Sequence, residues 1–188
     1  MNRTILPGLA AVVFFTAVAS SYGIGWTLVN AKIRSEFPDV RRISTTELTA
    51  WLQDSSKPSP LLLDVRTRAE YDISHLEGAK HVEPGASATI VREAKDRPIV
   101  TYCSVGYRSG AFAKKLGDAG FTNVANLEGS IFRWANEGRP VVRGGRKADK
   151  VHPYNGTWGL LLKRQYRADV PPAESARTAA SDSVSKTR

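Results

Sequence analysis

Hydrophobic positions along the chain fall into three regimes. From Ile5 to Val29 apolar residues are almost continuous, with no charged residue between Arg3 and Lys32. From Val40 to Val142 short apolar runs alternate with stretches of helical periodicity, and past Val142 the alternation stops. In the middle regime LLLDV (Leu61 to Val65), PIVTYC (Pro98 to Cys103) and NVANL (Asn123 to Leu127) are short, apolar and bounded by Pro, Gly, Asp or Asn, which predicts buried strands. Ile43 and Lys80 to Val82 are weaker strand candidates. Ser44-Thr45-Thr46-Glu47 is a capping-box pattern opening the helix ELTAWLQ, and further helices are predicted over Arg68 to Ile73, Ala88 to Lys95, Ser109 to Ala119 and Ile131 to Asn136. Strands separated by helices imply a largely parallel sheet covered on both faces.

The first regime is long enough to cross a hydrocarbon core of about 30 Å, which needs roughly 20 helical residues. Trp26, followed by Lys32 and Arg34, has the arrangement of an interfacial anchor. The expectation is an N-terminal transmembrane helix within residues 5–29, with residues 1–35 forming the anchor and its juxtamembrane segment. The competing expectation is a secretory signal, with Arg3 as its charged start, GLAAVVFFTAV as its apolar core and Ala17-Val18-Ala19 as the cleavage site. Lys32, Arg34, Arg41 and Arg42 outweigh Arg3 and favour a cytoplasmic catalytic domain, whereas the signal-like start favours export, so the side stays open.

The third regime divides at about residue 170. Residues 144–169 form an extension in which RGGRKADK predicts a loop and HPYNGTWGLLLKRQY predicts a Trp158/Leu161 face docked on the domain. Residues 170–188 are polar and low in large apolar residues, a composition that predicts disorder. The net charge of +9 belongs mainly to this end: residues 1–138 hold 16 basic and 14 acidic side chains, residues 139–188 hold 11 and 4. A basic tail describes solvated chain or attraction to anionic lipid, and the balanced domain argues against nucleic-acid binding.

The only cysteine, Cys103, lies in TYCSVGYRSGAF. It cannot form an intramolecular disulfide and lacks the paired Cys/His spacing of a zinc site, which leaves it inert, intermolecular or reactive. The predicted strand IVTY delivers it to a strand carboxyl end, where open α/β sheets bind ligands, and a helix is predicted to begin at about Ser109. A loop entering a helix N-terminus directs backbone N–H groups and the positive helix dipole inward, so a cysteine centred there is favoured as the nucleophilic thiolate. Gly106 permits a backbone conformation closed to other residues, Ser104 and Ser109 can hydrogen-bond the turn, and Arg108 can brace the loop or meet an anionic substrate. A lone cysteine is more often a small buried hydrophobe, but this position and these neighbours favour chemistry.

LLLDVRTRAEYDISHLEGA, followed by PIVTYCSVGYRSGAFAKKLGDAGFTNVANLEGSIFRWANEGRPV, resembles a single rhodanese domain. The resemblance lies in the Asp-x-Arg, Glu-Tyr, His-x-x-Gly-Ala and Cys-x-x-Gly-x-Arg-Ser signatures, then Leu-x-Gly and a tryptophan, and covers about residues 40–143. It implies a doubly wound α/β fold with a five-stranded parallel sheet flanked by helices. It also implies a sulfurtransferase that moves sulfane sulfur from a donor such as thiosulfate through a Cys103 persulfide to a thiol, cyanide or protein acceptor. Ser104, Val105, Gly106, Tyr107 and Arg108 would bind the anionic substrate, and no metal or organic cofactor is implied. Ser74, Ser130 and His81-Val82-Glu83 depart from the family pattern outside the loop.

Asp64 and Arg66 fit a structural ion pair at a strand end, and His75 a structural role. His81 and His152 show no triad partner. Trp51, Trp134 and Trp158 are expected as core or docking aromatics rather than a substrate platform, while Tyr107 is expected at the pocket rim. Two other functions compete: a rhodanese-like sulfur carrier or binding module with little small-molecule turnover, and a phosphatase or arsenate reductase. The latter typically use a loop one residue longer than the one joining Cys103 to Arg108, which favours the sulfur reading.

Overall fold

The computed structural model describes residues 23–171. Five strands, β1 (Arg41–Ile43), β2 (Leu61–Asp64), β3 (Lys80–His81), β4 (Ile99–Tyr102) and β5 (Val124–Leu127), form one parallel sheet in the order β1-β5-β4-β2-β3. Both central strands are buried along their whole length, which is why LLLD and IVTY read as continuous rather than alternating apolar runs. Their side chains still divide by parity. Leu62, Val100 and Tyr102 enter one core, whereas Leu61, Leu63 and Ile99 enter the other.

Helices α2 (Thr45–Gln53) and α5 (Ser130–Asn136) cover the first face with Leu48, Ile131 and Phe132. Helix α4 (Tyr107–Asp118) covers the second with Phe112 and Leu116. Helix α2 starts at the capping box read from the sequence, with Ser44 and Glu47 exchanging side-chain and backbone bonds. Thr67 and Glu70 repeat the device at α3 (Arg68–Ile73). The winding reverses between β2 and β4, and the carboxyl ends of those strands open a crevice at this switch point.

Four expectations change. Residues 88–95 do not form an α-helix: Ala88–Ile90 make one 3₁₀ turn, and Val91 leaves it extended. The β-branched run Thr89-Ile90-Val91 disfavours a helix there. Helix α4 begins two residues early, because Gly106 at φ 115° turns the chain directly into it. RGGRKADK is not a loop but supplies the turn and second strand of a hairpin, β6 (Val141–Arg143) with β7 (Arg146–Ala148). The Gly144-Gly145 turn has positive φ at both residues, the geometry that suits a two-residue hairpin.

The fourth change concerns the predicted transmembrane segment. Its residues 5–22 lie outside the described residues. Residues 23–29 belong to a helix, α1 (residues 23–36), that docks on the domain. Trp26 is no interfacial anchor: it is 7% exposed in the core that holds Leu161 and Leu162, with the Arg133 guanidinium over its ring. Asn30 and Arg34 reach Glu128, and Ile33 joins Phe37, Val40 and Ala113 in a third cluster against α4. No helix among the described residues is long and apolar enough to cross a membrane. The predicted disordered stretch lies, beyond residue 171, outside the described residues.

Helix α4 meets Phe37 closely at Gly110, where a Cβ would stand 2.7 Å from the Phe37 ring. Of the buried residues of α1, Trp26 has the bulkiest side chain. Trp26→Ala is expected to weaken docking of α1 by ~3 kcal/mol. Amide exchange over residues 23–36 should then accelerate about a hundredfold while β2 and β4 keep their protection. Unchanged exchange in α1 would show that Trp26 does not hold it.

Candidate active site around Cys103

Strand β4 ends at Tyr102, and the next four residues turn the chain into α4. Cys103 is 1% exposed, and its Sγ accepts a hydrogen bond from the Gly106 N–H at 3.2 Å. Gly106 is also the N-cap of α4, so the sulfur sits against the positive end of a twelve-residue helix. Asn126 of β5 fixes this turn: its Nδ2 donates to the Gly106 carbonyl at 2.9 Å, and its Oδ1 accepts from Ser109 Oγ at 2.7 Å.

Helix α5 grips the loop from the other side. The Cys103 N–H donates to Ser130 Oγ at 3.2 Å, while the Ile131 and Phe132 amides donate to the Cys103 and Ser104 carbonyls. Ser130 therefore ties the cysteine itself, at a backbone φ of 49° that few residues other than glycine adopt. The sequence marked Ser130 only as a departure from a family pattern. Its contact with Cys103 had no signal beyond the hydroxyl.

The loop is braced by a residue that sequence reasoning did not single out. Glu70, fully buried on α3, receives both Arg108 Nη atoms at 2.8 and 2.9 Å and the Ser104 hydroxyl at 3.0 Å. It also completes the Thr67 capping box. Burial works to raise the Glu70 pKa, but the charge and hydrogen bonds of Arg108, the charge of Arg66 and the Thr67 N–H outweigh it and bring it down to about 2. A capping-box Glu is normally exposed, and only its place in the Glu-Tyr signature, close to the Asp-x-Arg pair, hinted at more.

Of the residues expected to bind substrate, Val105, Tyr107 and Arg108 line a cavity of about 410 Å³ with Cys103 on its wall. Ser104 is buried, and its hydroxyl turns to Glu70 and Arg108. Gly106 contributes its N–H rather than a surface. Tyr107 packs edge-on against Phe37 with ring centroids 5.3 Å apart, consistent with a rim position. Trp158 corrects the expectation of a docking aromatic: Leu161 is the buried residue of that turn, and Trp158 stays partly exposed and lines the cavity.

The remaining candidates are structural. Arg66 and Asp64 form a two-pronged pair at 2.6 and 2.8 Å with no exposure to solvent, and Arg66 also donates to the Ser74 carbonyl. Burial works against the guanidinium's charge, but Asp64 holds its pKa above the ordinary value. His75 stacks on Tyr71 at 3.8 Å and its backbone bridges to Val142. His81 contacts the Arg66 carbonyl, and His152 accepts from the Tyr154 N–H.

The rhodanese-like domain family matches residues 44–137, and the chain belongs to it. Over 107 residues it is 35% identical to a sulfurtransferase of Allochromatium vinosum, covering 55% of this chain and 95% of that protein. Over 101 residues it is 33% identical to the probable adenylyltransferase/sulfurtransferase MoeZ of Mycobacterium tuberculosis, covering 52% of this chain. The chain spans about a quarter of the length of that larger protein. The crystal structure of a thiosulfate sulfurtransferase from Pseudomonas aeruginosa shares the fold, with a TM-score of 0.52 at 16% identity over 81% of this chain and 26% of that one.

Glu70 titrates in a defined direction. Its folded pKa lies near 2 against an ordinary 4.5, so its stabilising contribution is present above about pH 4.5 and lost as pH falls toward 2. Glu70→Gln leaves Arg108 without its carboxylate and should cost ~3 kcal/mol at neutral pH. Denaturant titrations at stepped pH should show the wild type losing stability between pH 4.5 and 2, and the variant losing much less there. Parallel pH profiles would refute the role given to this carboxylate.

Proposed function

We propose that this protein is a sulfurtransferase in which Cys103 carries sulfane sulfur as a persulfide. The observation that carries the reading is the Gly106 N–H held 3.2 Å from Cys103 Sγ at the N-terminus of α4. A donor such as thiosulfate presents its outer sulfur to the Cys103 thiolate. The new S–S bond forms as the bond to the sulfonyl sulfur breaks, and sulfite leaves with the electron pair. An acceptor thiolate or cyanide then attacks the outer persulfide sulfur and releases the Cys103 thiolate. Charge stays on sulfur throughout, and the Gly106 amide and helix dipole act on it as preorganised electrostatic stabilisation.

Arg108 supports sulfur over phosphorus chemistry. A cradle for a tetrahedral oxyanion needs its arginine turned onto the oxygens, whereas Arg108 is committed to Glu70 by two hydrogen bonds and to Ser104 by a third. The burial of Cys103 favours a small acceptor.

The full chain incubated with thiosulfate and cyanide should release thiocyanate, and without acceptor it should gain the mass of one sulfur atom on Cys103. Cys103→Ser should reduce turnover to the uncatalysed background. Failure of any sulfane donor to add sulfur to Cys103 would overturn the proposal.

A further inference from the structure

The cavity over Cys103 is lined in part by segments of the chain outside the one that matches the family, residues 44–137. One wall is α1 and the residue that follows it, with Val29, Ile33 and Phe37 facing the cavity. Another is the C-terminal extension, which contributes Tyr154 and Trp158. Ala111 and Phe112 of α4 complete an apolar enclosure. Its volume of about 410 Å³ falls within the roughly 300–1,000 Å³ range of organic ligand sites and far exceeds what a small inorganic anion fills.

The charge of the lining is one-sided. Lys32, Arg108 and Lys115 border the cavity, and among the described residues no acidic side chain does. Arg108 is held by Glu70, and Lys32 pairs with Glu36 along its own helix. Lys115 is exposed, one face of α4 along from the cysteine, and is in no ion pair among the described residues. An apolar chamber with cations at its border and a nucleophilic sulfur in its wall matches a ligand with an anionic sulfur group and an apolar body.

Building on the sulfur-transfer reading above, we infer that the sulfur donor is an organic sulfane compound, R–SO₂–S⁻ or R–S–S⁻ with an apolar R group, and that α1 and the Tyr154–Trp158 wall select it. With a thiosulfonate, the Cys103 thiolate bonds to the outer sulfur, the S–S bond to the sulfonyl group breaks, and the sulfinate R–SO₂⁻ leaves with the electron pair. No external oxidant or reductant is required. The apolar body occupies the chamber while the reacting sulfur meets Cys103 and the Gly106 N–H. An inorganic donor reacts at the same sulfur but leaves the apolar walls unused.

The test is a series of alkanethiosulfonates, from methyl to butyl, with benzenethiosulfonate and thiosulfate, assayed on the full chain by sulfinate or sulfite release and by sulfur added to Cys103. Each methylene buried is expected to raise kcat/KM about fourfold, equivalent to ~0.8 kcal/mol. Butanethiosulfonate should therefore exceed the methyl compound by more than tenfold. Trp158→Ala and Val29→Ser should each flatten this slope, and folding of each is checked by circular dichroism. A slope of one across the series in the wild type overturns the inference, and does so even if the variants fail to fold. Sulfur added to Cys103 by thiosulfate alone overturns the organic donor while sustaining sulfur transfer. Sulfur added by no donor overturns both.

Discussion

The carboxylate of Glu70 is the constraint on which the site depends. It sits in α3, yet its partners are the Thr67 backbone, the Ser104 hydroxyl and the Arg108 guanidinium, so one buried charge joins the helix after β2 to the loop after β4. Such a group would be costly to bury alone, and the bidentate arginine is what makes its burial tolerable. The same ion pair fixes the Arg108 guanidinium at the border of the cavity. What remains around the sulfur is backbone: the Gly106 N–H on one side, and the α5 amides and Ser130 holding the loop on the other. The loop is thus preorganised by side chains of three other elements, Glu70, Asn126 and Ser130, each bonded to it.

The middle of the chain was largely legible because its local signals agree with its tertiary structure. LLLD and IVTY are buried on both faces, so their unbroken apolar character reports their central place in a parallel sheet. The Ser44 capping box was read as a local pattern of Ser three residues before Glu, whereas Thr67 and Glu70 have the same spacing and were not singled out for it. The place of Cys103 between a strand and a helix was legible because strand, loop and helix occupy consecutive residues. The brace was not, since 38 residues separate Glu70 from Arg108 and no local pattern announces an ion pair that closes only on folding.

Trp26 and Trp158 were misread for a common reason. Apolar residues between Gly23 and Phe37 carry the same hydropathy whether they face lipid or a protein groove, and only the partner surface distinguishes the two. Trp26 found Leu161 and Leu162, residues that a scan along the chain places more than 130 positions away. Trp158 was misread in the opposite sense: its aromatic bulk suggested burial, whereas the neighbouring Leu161 docks and leaves the indole beside the cavity. Sequence patterning reveals that a residue seeks cover but does not reveal which surface supplies it.

Gly110 gives the architecture a single-atom dependence. Helix α4 carries the sulfur loop at its start, and one turn later its backbone lies so near Phe37 that the hydrogen of a glycine is all the gap admits. Phe37, which lines the cavity, can therefore stand this close only while position 110 lacks a side chain. A methyl group there would press on the Phe37 ring at the end of α1 and would also crowd Asn126 Nδ2, 3.3 Å away, the group that holds the Gly106 carbonyl. The cavity wall and the sulfur loop thus meet at one backbone position of this helix, and a change there reaches both.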